Sequence, residues 1–374
     1  MNTKEIGEIK RRARRDRSNI TAIHGCYVRD SGEVIAKFRA PLGEMSENEA
    51  DKYMALFKKT LAGTLGKTLK DISFPTKLVA NQDPRHARLM TLRKSSGDDK
   101  TALDELYQEI INSIHMDENY LILIGCDVYD VPFKSSDDTE HAGDETFTYL
   151  LCAICPVKET APNLHYVHEK SSFHDGGMMQ AVNAPVLGFM FPAFDNRATN
   201  IYGALMYTKS SREDYGEFVE AVFGTTGPVA ANAQKESFDE ILSSHLGDEC
   251  SVSVINALHE RAAEMVQLHK EAKVPDLLTV DRNAVESLLN EGGVSPEKIN
   301  DVGDAFEDVF GASAEVPLGN IVDTRHYTVK TSSAVIKVAI DQAQDIEVRT
   351  IGGRKYICIP AEEGIEANGI TIIA

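Results

Sequence analysis

The sequence predicts an α+β fold, with an N-terminal mixed sheet and packed helices, a helical middle module and a C-terminal β unit. Three patterns in the 374 residues predict this class. Short apolar and β-branched runs dominate the first part, helical spacing dominates the second, and strict alternation dominates the third. The patterns change near residues 227 and 312, so the predicted domains are 1–227, 228–312 and 313–374.

Strands in the first domain are predicted from apolar runs bounded by Gly, Pro, Asn or Asp. The runs are ITAIHGCYV, YLILIGCDVYDV, TYLLCAICPV, GFMFPAF and NIYGALMYT. Amphipathic helices are predicted after Ser46, where S-E-N-E forms a capping box, and from Thr101. Each of these helices carries one apolar stripe, which we expect to pack against the sheet. A basic helix precedes them at the N-terminus.

The second and third domains differ in charge and in periodicity. Residues 232–312 carry 6 Lys or Arg against 17 Asp or Glu, and their apolar residues recur at helical spacing. This segment is therefore predicted to be an acidic helical module. Beyond it, two alternating runs flank Gly352 and Gly353, which is the pattern of a β-hairpin with a two-residue turn.

Composition narrows the classes of function. The net charge of −19 opposes nonspecific binding to nucleic acid or to anionic lipid. The chain has no apolar run of transmembrane length and no apolar segment behind its basic N-terminus, so we expect a cytoplasmic protein. Six scattered cysteines are typical of a reducing compartment. The motifs G-x-S-x-G, H-E-x-x-H and G-x-G-x-x-G are absent, although an enzyme does not require them.

One segment combines residue types that bind zinc. Its candidate ligands are Cys152, Cys155, His165, His168 and His174. The spacing departs from that of a zinc finger, and residues three apart on a strand point to opposite faces. The alternative is that both cysteines pack in the core and the histidines lie in a loop. No other cofactor is predicted.

The sequence leaves two hypotheses for an enzyme active site. One would gather His165, His168, His174 and Asp175 near the strand that carries both cysteines. The other would be assembled from distant residues, namely Asp127, Asp130, His174, Asp175 and Asp195.

The stretch FPAFDNRATN places Asp195, Asn196 and Arg197 between two predicted strands. An acid and an arginine on a tight turn are able to bind a ligand or a partner. Asp-Asn is also ordinary turn chemistry, in which the side chains bond to the local backbone. A turn does not require an arginine, and this favours a contact site.

The N-terminal segment carries a basic cluster. Its cations are Lys10, Arg11, Arg12, Arg14, Arg15 and Arg17. On a helix they surround most of the circumference, and only Ile6, Ile9 and Ala13 form an apolar seam. The cluster is a candidate contact for nucleic acid or for an acidic surface. The alternative, from the composition of the segment, is a solvated and partly frayed helix. No aromatic residue interleaves the arginines, so base stacking has no support there.

Several motifs together resemble a known family. They are GCYV, FKKTLAGTLGK, YDVP, CAICPV, GFMFPAFDNRATN and IGGRKYICIPAEEGIEANGI. The chain resembles, over nearly its whole length, bacterial cytosolic proteins, mainly of Firmicutes, that share a domain of unknown function of the DUF4317 type. The resemblance implies a bacterial cytosolic protein and carries over no catalytic residues.

The leading hypothesis from the sequence is a cytosolic, non-catalytic protein that binds a protein partner or its own copies. The charge segregation and the three-part layout support it. The competing hypotheses are an enzyme or zinc protein with a site between Cys152 and Asp175, and a nucleic-acid-binding protein that uses the N-terminal arginines.

Overall fold

The computed structural model describes residues 1–134, 140–160, 164–175, 178–340, 342, 346–360, 365–367 and 370–372. The chain forms two compact units, Met1–Ala230 (unit 1) and Ala231–Ala374 (unit 2). The predicted α+β class is confirmed. The further division at residue 312 stays a prediction.

Unit 1 combines one large sheet with helices. Its strands are β1 Ala22–Val28, β2 Val34–Pro41, β3 Leu69–Ser73, β4 Tyr120–Lys134, β5 Glu140–Thr160, β6 Leu164–Val167, β7 Ser172–Asp175, β8 Met179–Val182, β9 Leu187–Phe191, β10 Ala193–Asp195, β11 Ala198–Asn200 and β12 Gly203–Thr208. Its helices are α1 Thr3–Arg12, α2 Glu47–Thr60, α3 Thr76–Ala80, α4 Pro84–Lys94, α5 Lys100–Ser113 and α6 Gly216–Phe223.

The large sheet has the order β2-β1-β4-β5-β9-β12-β3, with β8 paired to β5 beside this path. Every described strand pairing in it is antiparallel, so the predicted mixed sheet is corrected to an antiparallel one. The reason is the connectivity, because β1 joins β2, and β4 joins β5, through hairpins. A parallel pair would need a long crossover between neighbouring strands.

Helices cover both faces of this sheet. Residues of α4, α5 and α6 form one core with Ile124, Cys126 and Cys152. The helix α2 lies on the opposite face, because Gly125 alternates with these core residues and a Cβ added to Gly125 would come within 3.1 Å of the Phe57 ring. The predicted capping residue Ser46 accepts a hydrogen bond from the Glu49 amide. Unit 1 therefore has three layers.

Unit 2 begins with helices and ends with hairpins. Its helices are α7 Ala231–Leu246, α8 Val252–Glu271, α9 Arg282–Glu291, α10 Pro296–Phe310 and α11 Leu318–Ile321. Its strands are β13 Thr279–Val280, β14 Val316–Pro317, β15 His326–Lys330, β16 Val335–Ala339, β17 Glu347–Ile351, β18 Arg354–Cys358, β19 Ile365–Ala367 and β20 Ile370–Ile372.

The hairpin predicted at the two glycines is confirmed. Ile351 pairs with Arg354, and the intervening Gly352 and Gly353 have φ of 58° and 79°. Both residues of such a turn need positive φ, which glycine adopts without steric cost. The helical core of unit 2 reaches Val322, because Leu318 and Val322 are buried with the residues of α7 to α10.

Candidate functional site

A polar cluster fastens the N-terminal helix to the sheet of unit 1. We call it the clamp, and its members are Glu8, Arg12, Asp127, Tyr129, Tyr149 and Arg197. Asp127 is 1% exposed, and its Oδ1 accepts hydrogen bonds from the amides of Asn19 at 2.7 Å and Val128 at 2.9 Å. Its Oδ2 accepts the Tyr149 hydroxyl proton at 2.7 Å. The carboxylate is therefore fully occupied inside the protein.

Cations and phenols complete the clamp. The Arg12 guanidinium lies 4.2 Å from the centre of the Tyr129 ring and 3.6 Å from Asp127 Oδ2. The Tyr129 hydroxyl donates to Glu8 Oε1 at 2.7 Å. Burial, and then the hydrogen bond to Glu8, raise the pKa of Tyr129 to about 12. Burial likewise raises the pKa of Tyr149, and the Asp127 carboxylate adds to this effect. Both phenols are therefore neutral donors at physiological pH.

The predicted contact turn is part of the same attachment. Asn196 and Arg197 have φ of 52° and 59°, as in a tight hairpin turn between β10 and β11. The Asn196 amide donates to Glu5 Oε1 at 2.7 Å, and Arg197 Nη2 donates to Glu8 Oε1 at 3.0 Å. Asp195 lies 2.8 Å from the Met1 amino group. All three residues thus bind the N-terminal segment.

The basic cluster is largely paired with carboxylates. Arg12 points into the clamp. Arg15 lies 3.0 Å from Glu47, and Arg14 lies 3.2 Å from Asp16. Arg17 is at the 4.0 Å limit from Asp16 as well. Only Lys10 and Arg11 of the six cations have no carboxylate partner in the described part of the chain. The positive potential available to nucleic acid is correspondingly small.

The two cysteines of the predicted metal segment lie inside the sheet. Cys152 and Cys155 are both 0% exposed on β5, and their spacing of three places them on opposite faces. Burial raises the pKa of both thiols, for Cys155 to about 12. Thiolates are the form that binds metal, so neither side chain is prepared as a ligand.

The histidines lie on a hairpin away from this core position. His165 on β6 pairs with His174 on β7, and His168 is exposed on the turn that joins these strands. The His174 ring is 2.9 Å from the Ser172 hydroxyl. The side chain of His165 lies outside the described residues. Within those residues, no group of three or more His, Cys, Asp or Glu is placed to hold a metal ion.

The distant residues proposed as an assembled site stand on separate elements. Asp127 is in the clamp, and Asp130 accepts a hydrogen bond from Thr146 at 3.2 Å. Asp195 is near Met1, while His174 and Asp175 are on β7. The five residues thus lie on three different strands, β4, β10 and β7.

A projecting β-ribbon is the feature that the sequence did not reveal. Residues 157–160 of β5 leave the large sheet and pair only with β8 in the described structure. The pair of Val157 with Val182 and the pair of Leu164 with Asp175 belong to the same register, because both partners are displaced by equal numbers of residues. We call the four strand segments, residues 157–160, 164–167, 172–175 and 179–182, together the arm.

One face of the arm is apolar and exposed. Leu164, Tyr166 and Phe173 share it, because Tyr166 pairs with Phe173 and Leu164 is two residues from Tyr166. Met179 lies on the same face by the shared register, and so does Asp175, which pairs with Leu164. The four apolar side chains are 46–70% exposed. The rings of Tyr166 and Phe173 meet edge to face at 5.4 Å.

The other face of the arm is anchored at its root. Gln180 Oε1 accepts the hydroxyl proton of Tyr27 at 2.5 Å, and Asn119 Nδ2 donates to the same hydroxyl at 3.1 Å. The root is therefore fixed to β1 and to the segment before β4. The apolar face is left toward solvent. The signal in the sequence is the alternation of Leu164, Tyr166 and Phe173 with polar residues.

The fold and this surface define an α+β protein with an antiparallel three-layer unit and a projecting apolar ribbon. The chain belongs to the family described as Domain of unknown function (DUF4317), because the family model matches residues 1–370. No curated protein and no solved structure matches the chain. No helix in the described residues is long and apolar enough to cross a membrane.

Proposed function

We propose that the protein is a cytosolic, non-catalytic binding protein that associates with a second copy of itself through the apolar face of the arm. The observation that carries this proposal is the concentration of exposed apolar side chains. Within residues 164–182, those that are more than 40% exposed are Leu164, Tyr166, Phe173, Met178, Met179 and Val182. Clustered exposed apolar residues mark interaction surfaces, whereas isolated ones are ordinary.

The size of the surface supports a weak dimer. The four large side chains of the apolar face, at 46–70% exposure, present on the order of 400 Å² per copy. Two such surfaces packed on each other bury roughly 800 Å², which is the size of a small interface of a weak complex. A two-fold axis brings the same face of both arms together, so the apolar stripe is its own complement.

The charge of the arm favours a like partner. Residues 157–182 contain two Lys against three Asp or Glu, in a chain of net charge −19. Two copies that meet at this nearly neutral arm avoid most of the repulsion between their acidic parts. A strongly basic partner would gain little at this face. A second copy therefore fits the surface better than a cationic one.

Open edges add hydrogen-bonding capacity to the arm. In the described structure β6 and β7 form a two-stranded sheet, so the outer edge of each strand faces away from its partner strand. Such edges pair readily with another strand. The six cysteines are all free thiols, as in proteins of a reducing compartment, and this supports the cytosolic part of the proposal.

Sedimentation velocity of the full chain tests the proposal. The wild type is expected to shift from monomer to dimer over roughly 1–100 µM. Tyr166→Ser/Phe173→Ser removes the paired rings from the apolar face and is expected to weaken dimerisation by about tenfold or more. A wild type that stays monomeric over this range contradicts the proposal.

A matched control separates the arm from exposed apolar residues in general. Ile35 and Tyr202 are 43% and 45% exposed elsewhere in unit 1. Ile35→Ser/Tyr202→Ser removes the same number of apolar side chains and is expected to leave the dimer unchanged. Equal weakening by both double variants contradicts the role of the arm. Turnover of a phosphoester, ester or peptide at an ordinary enzymatic rate contradicts the non-catalytic part.

A further inference from the structure

A cleft of about 890 Å³ opens in unit 1 at the end of the sheet where β12 stops. Its walls are residues 115–118, 156, 158, 183–184, 186, 209–213 and 215, together with Thr68. This volume is in the range that takes a small molecule of the size of a nucleotide. None of the sites predicted from the sequence falls in this cleft.

Some charged side chains of the cleft have a hydrogen-bonding or ion-pair partner in the protein, and others have no partner of opposite charge in the described part of the chain. Lys158 is 2.9 Å from Glu118. Glu213 accepts the hydroxyl proton of the uncharged Tyr215 at 2.6 Å, and Asp117 is the third carboxylate of the lining. Lys209 and Arg212, in contrast, have no carboxylate partner among the described residues. Unit 1 carries 27 Lys or Arg against 33 Asp or Glu, so two cations without carboxylate partners in one cleft do not follow from a general excess of positive charge.

The segment that carries these cations is held at both ends. At its start, the Lys209 amide donates to the Val186 carbonyl at 2.8 Å, and the Thr208 hydroxyl donates to the Ser210 carbonyl at 2.9 Å. At its end, the Lys70 ammonium, only 3% exposed, donates to the Glu213 carbonyl at 2.8 Å. A segment fixed in this way needs little further ordering to bind a ligand.

The residue that closes the segment is conformationally unusual. Tyr215 has a φ of 53°, in the left-handed region that residues with a Cβ rarely adopt, and it precedes the first turn of α6. Residues with a Cβ in this strained left-handed conformation occur mainly at ligand sites, where the surrounding structure maintains the strain. Here the buried ammonium of Lys70 and the carboxylate of Glu213 hold the chain on the N-terminal side of Tyr215.

We propose that this cleft binds a small phosphorylated molecule, with its phosphoryl oxygens between Lys209 and Arg212. A guanidinium donates two parallel hydrogen bonds to a phosphate, and an ammonium adds a point charge. The hydroxyl of Ser211 and the amide of Asn183 line the same cleft and supply uncharged donors. The remaining volume accommodates the organic part of the ligand. This inference is independent of the dimer, because it rests on other residues.

Isothermal titration calorimetry of the full chain with pyrophosphate, ADP and adenosine tests the inference. Pyrophosphate and ADP are expected to bind with a Kd below about 1 mM, and adenosine at least about tenfold more weakly. Lys209→Ala/Arg212→Ala is expected to weaken ADP binding by about tenfold or more, since two charge-assisted contacts are lost. Lys209→Arg retains the charge and is expected to keep ADP binding within a few-fold of wild type.

Lys77→Ala/Lys94→Ala is the matched control. It removes two exposed cations of unit 1 that line other surfaces, and it is expected to change ADP binding by less than about twofold. The inference is overturned if neither phosphorylated probe binds at about 1 mM. Equal binding of adenosine and ADP also overturns it, as does equal weakening by the two double variants. Circular dichroism of each variant confirms that a loss of binding is not a loss of fold.

Discussion

The clamp and the arm are opposite cases within one unit. In the clamp, Asp127, Tyr129 and Glu8 are each bonded to partners inside the protein. On the arm, Leu164 and Phe173 are 70% and 65% exposed and cover no core. The conspicuous polar residues of this sequence therefore mostly stabilise the fold. The surface left for a partner consists of ordinary apolar residues.

The physical reason is the cost of burial. A charged group inside a protein must be paired and hydrogen-bonded, and its partners are therefore other polar groups of the same interior. An apolar side chain carries no such requirement. When it remains exposed in a cluster, free energy is still available from removing it from water. The arm thus retains a driving force for association that the clamp has already used in folding.

The largest change in the free energy of unfolding is expected from a substitution in the clamp. Asp127→Ala removes an acceptor of three hydrogen bonds and leaves Arg12 beside the cavity. We expect the free energy of unfolding of unit 1 to fall by about 3–5 kcal/mol, because a buried charge loses its partner. Urea unfolding followed by circular dichroism measures this free energy of unfolding. Asp130→Ala, at an exposed position on the same strand, is the control and should change it by less than about 0.5 kcal/mol.

The next largest effect on the free energy of unfolding is expected from a substitution that tests how closely α2 packs on the sheet. A Cβ at Gly188 would collide with the Cys152 carbonyl and lie 2.7 Å from Thr60 Cγ2. Gly188→Ala is expected to lower the free energy of unfolding by about 1–3 kcal/mol through overpacking. A Cβ at Gly43 meets no atom within 4 Å, so Gly43→Ala controls for the loss of glycine. Equal unfolding midpoints for the two variants would show that α2 packs on the sheet more loosely than the contact at Gly188 indicates.

Alkaline pH should weaken unit 1 by a smaller amount. Burial raises the pKa of Cys26 from 9.0 to about 11 and that of Cys155 from 9.0 to about 12. Their stabilising contribution is complete below pH 9 and is lost as pH rises through the folded-state values, because the unfolded chain ionises first. From about pH 8 to about pH 9.5 we expect the free energy of unfolding to fall by on the order of 1–2 kcal/mol.

Double substitution of these cysteines provides the comparison for that experiment. Cys26→Ala/Cys155→Ala lowers stability at both pH values because it removes buried atoms. Its additional loss between about pH 8 and about pH 9.5 should be smaller than that of the wild type, since two titrating groups are gone. An identical pH dependence in both proteins would assign the alkaline effect to other groups.

The smallest expected effect on stability belongs to the arm. Tyr166→Ser/Phe173→Ser changes side chains that lie largely in solvent, so the free energy of unfolding measured on dilute monomer should change by less than about 0.5 kcal/mol. Thermal unfolding at low protein concentration measures this. A loss of several kcal/mol would mean that the apolar face already supports the fold and is unavailable to a partner.

Much of the fold follows from local patterns. Helix starts such as the Ser46 cap and the turn at Gly352 and Gly353 depend on a few neighbouring residues, and the sequence predicts them. The strands β2 and β3 were missed because their residues are mostly polar or half-buried, without a continuous apolar run. The antiparallel order also escaped prediction, since it depends on long-range pairing.

The candidate sites also depend on long-range contacts that local sequence patterns do not predict. Asn196 bonds to Glu5, 191 residues away, and no spacing rule connects these positions. The turn therefore resembled a free contact site in the sequence. The exposure of Leu164 and Phe173 depends on the arm leaving the sheet, because the same alternation occurs in a half-buried strand. Lys209 and Arg212 gain significance only from the cleft around them.

Hydrogen exchange of the full chain at two protein concentrations tests the arm most directly. At roughly 1 µM and roughly 100 µM, the backbone amides of Asp127 to Tyr129 in the clamp should exchange equally slowly, because their protection comes from the fold. The amides of Leu164 to Val167 and of Ser172 to Asp175 should exchange fast at the low concentration and clearly more slowly at the high one. Exchange of the arm that is equally fast at both concentrations would contradict the account.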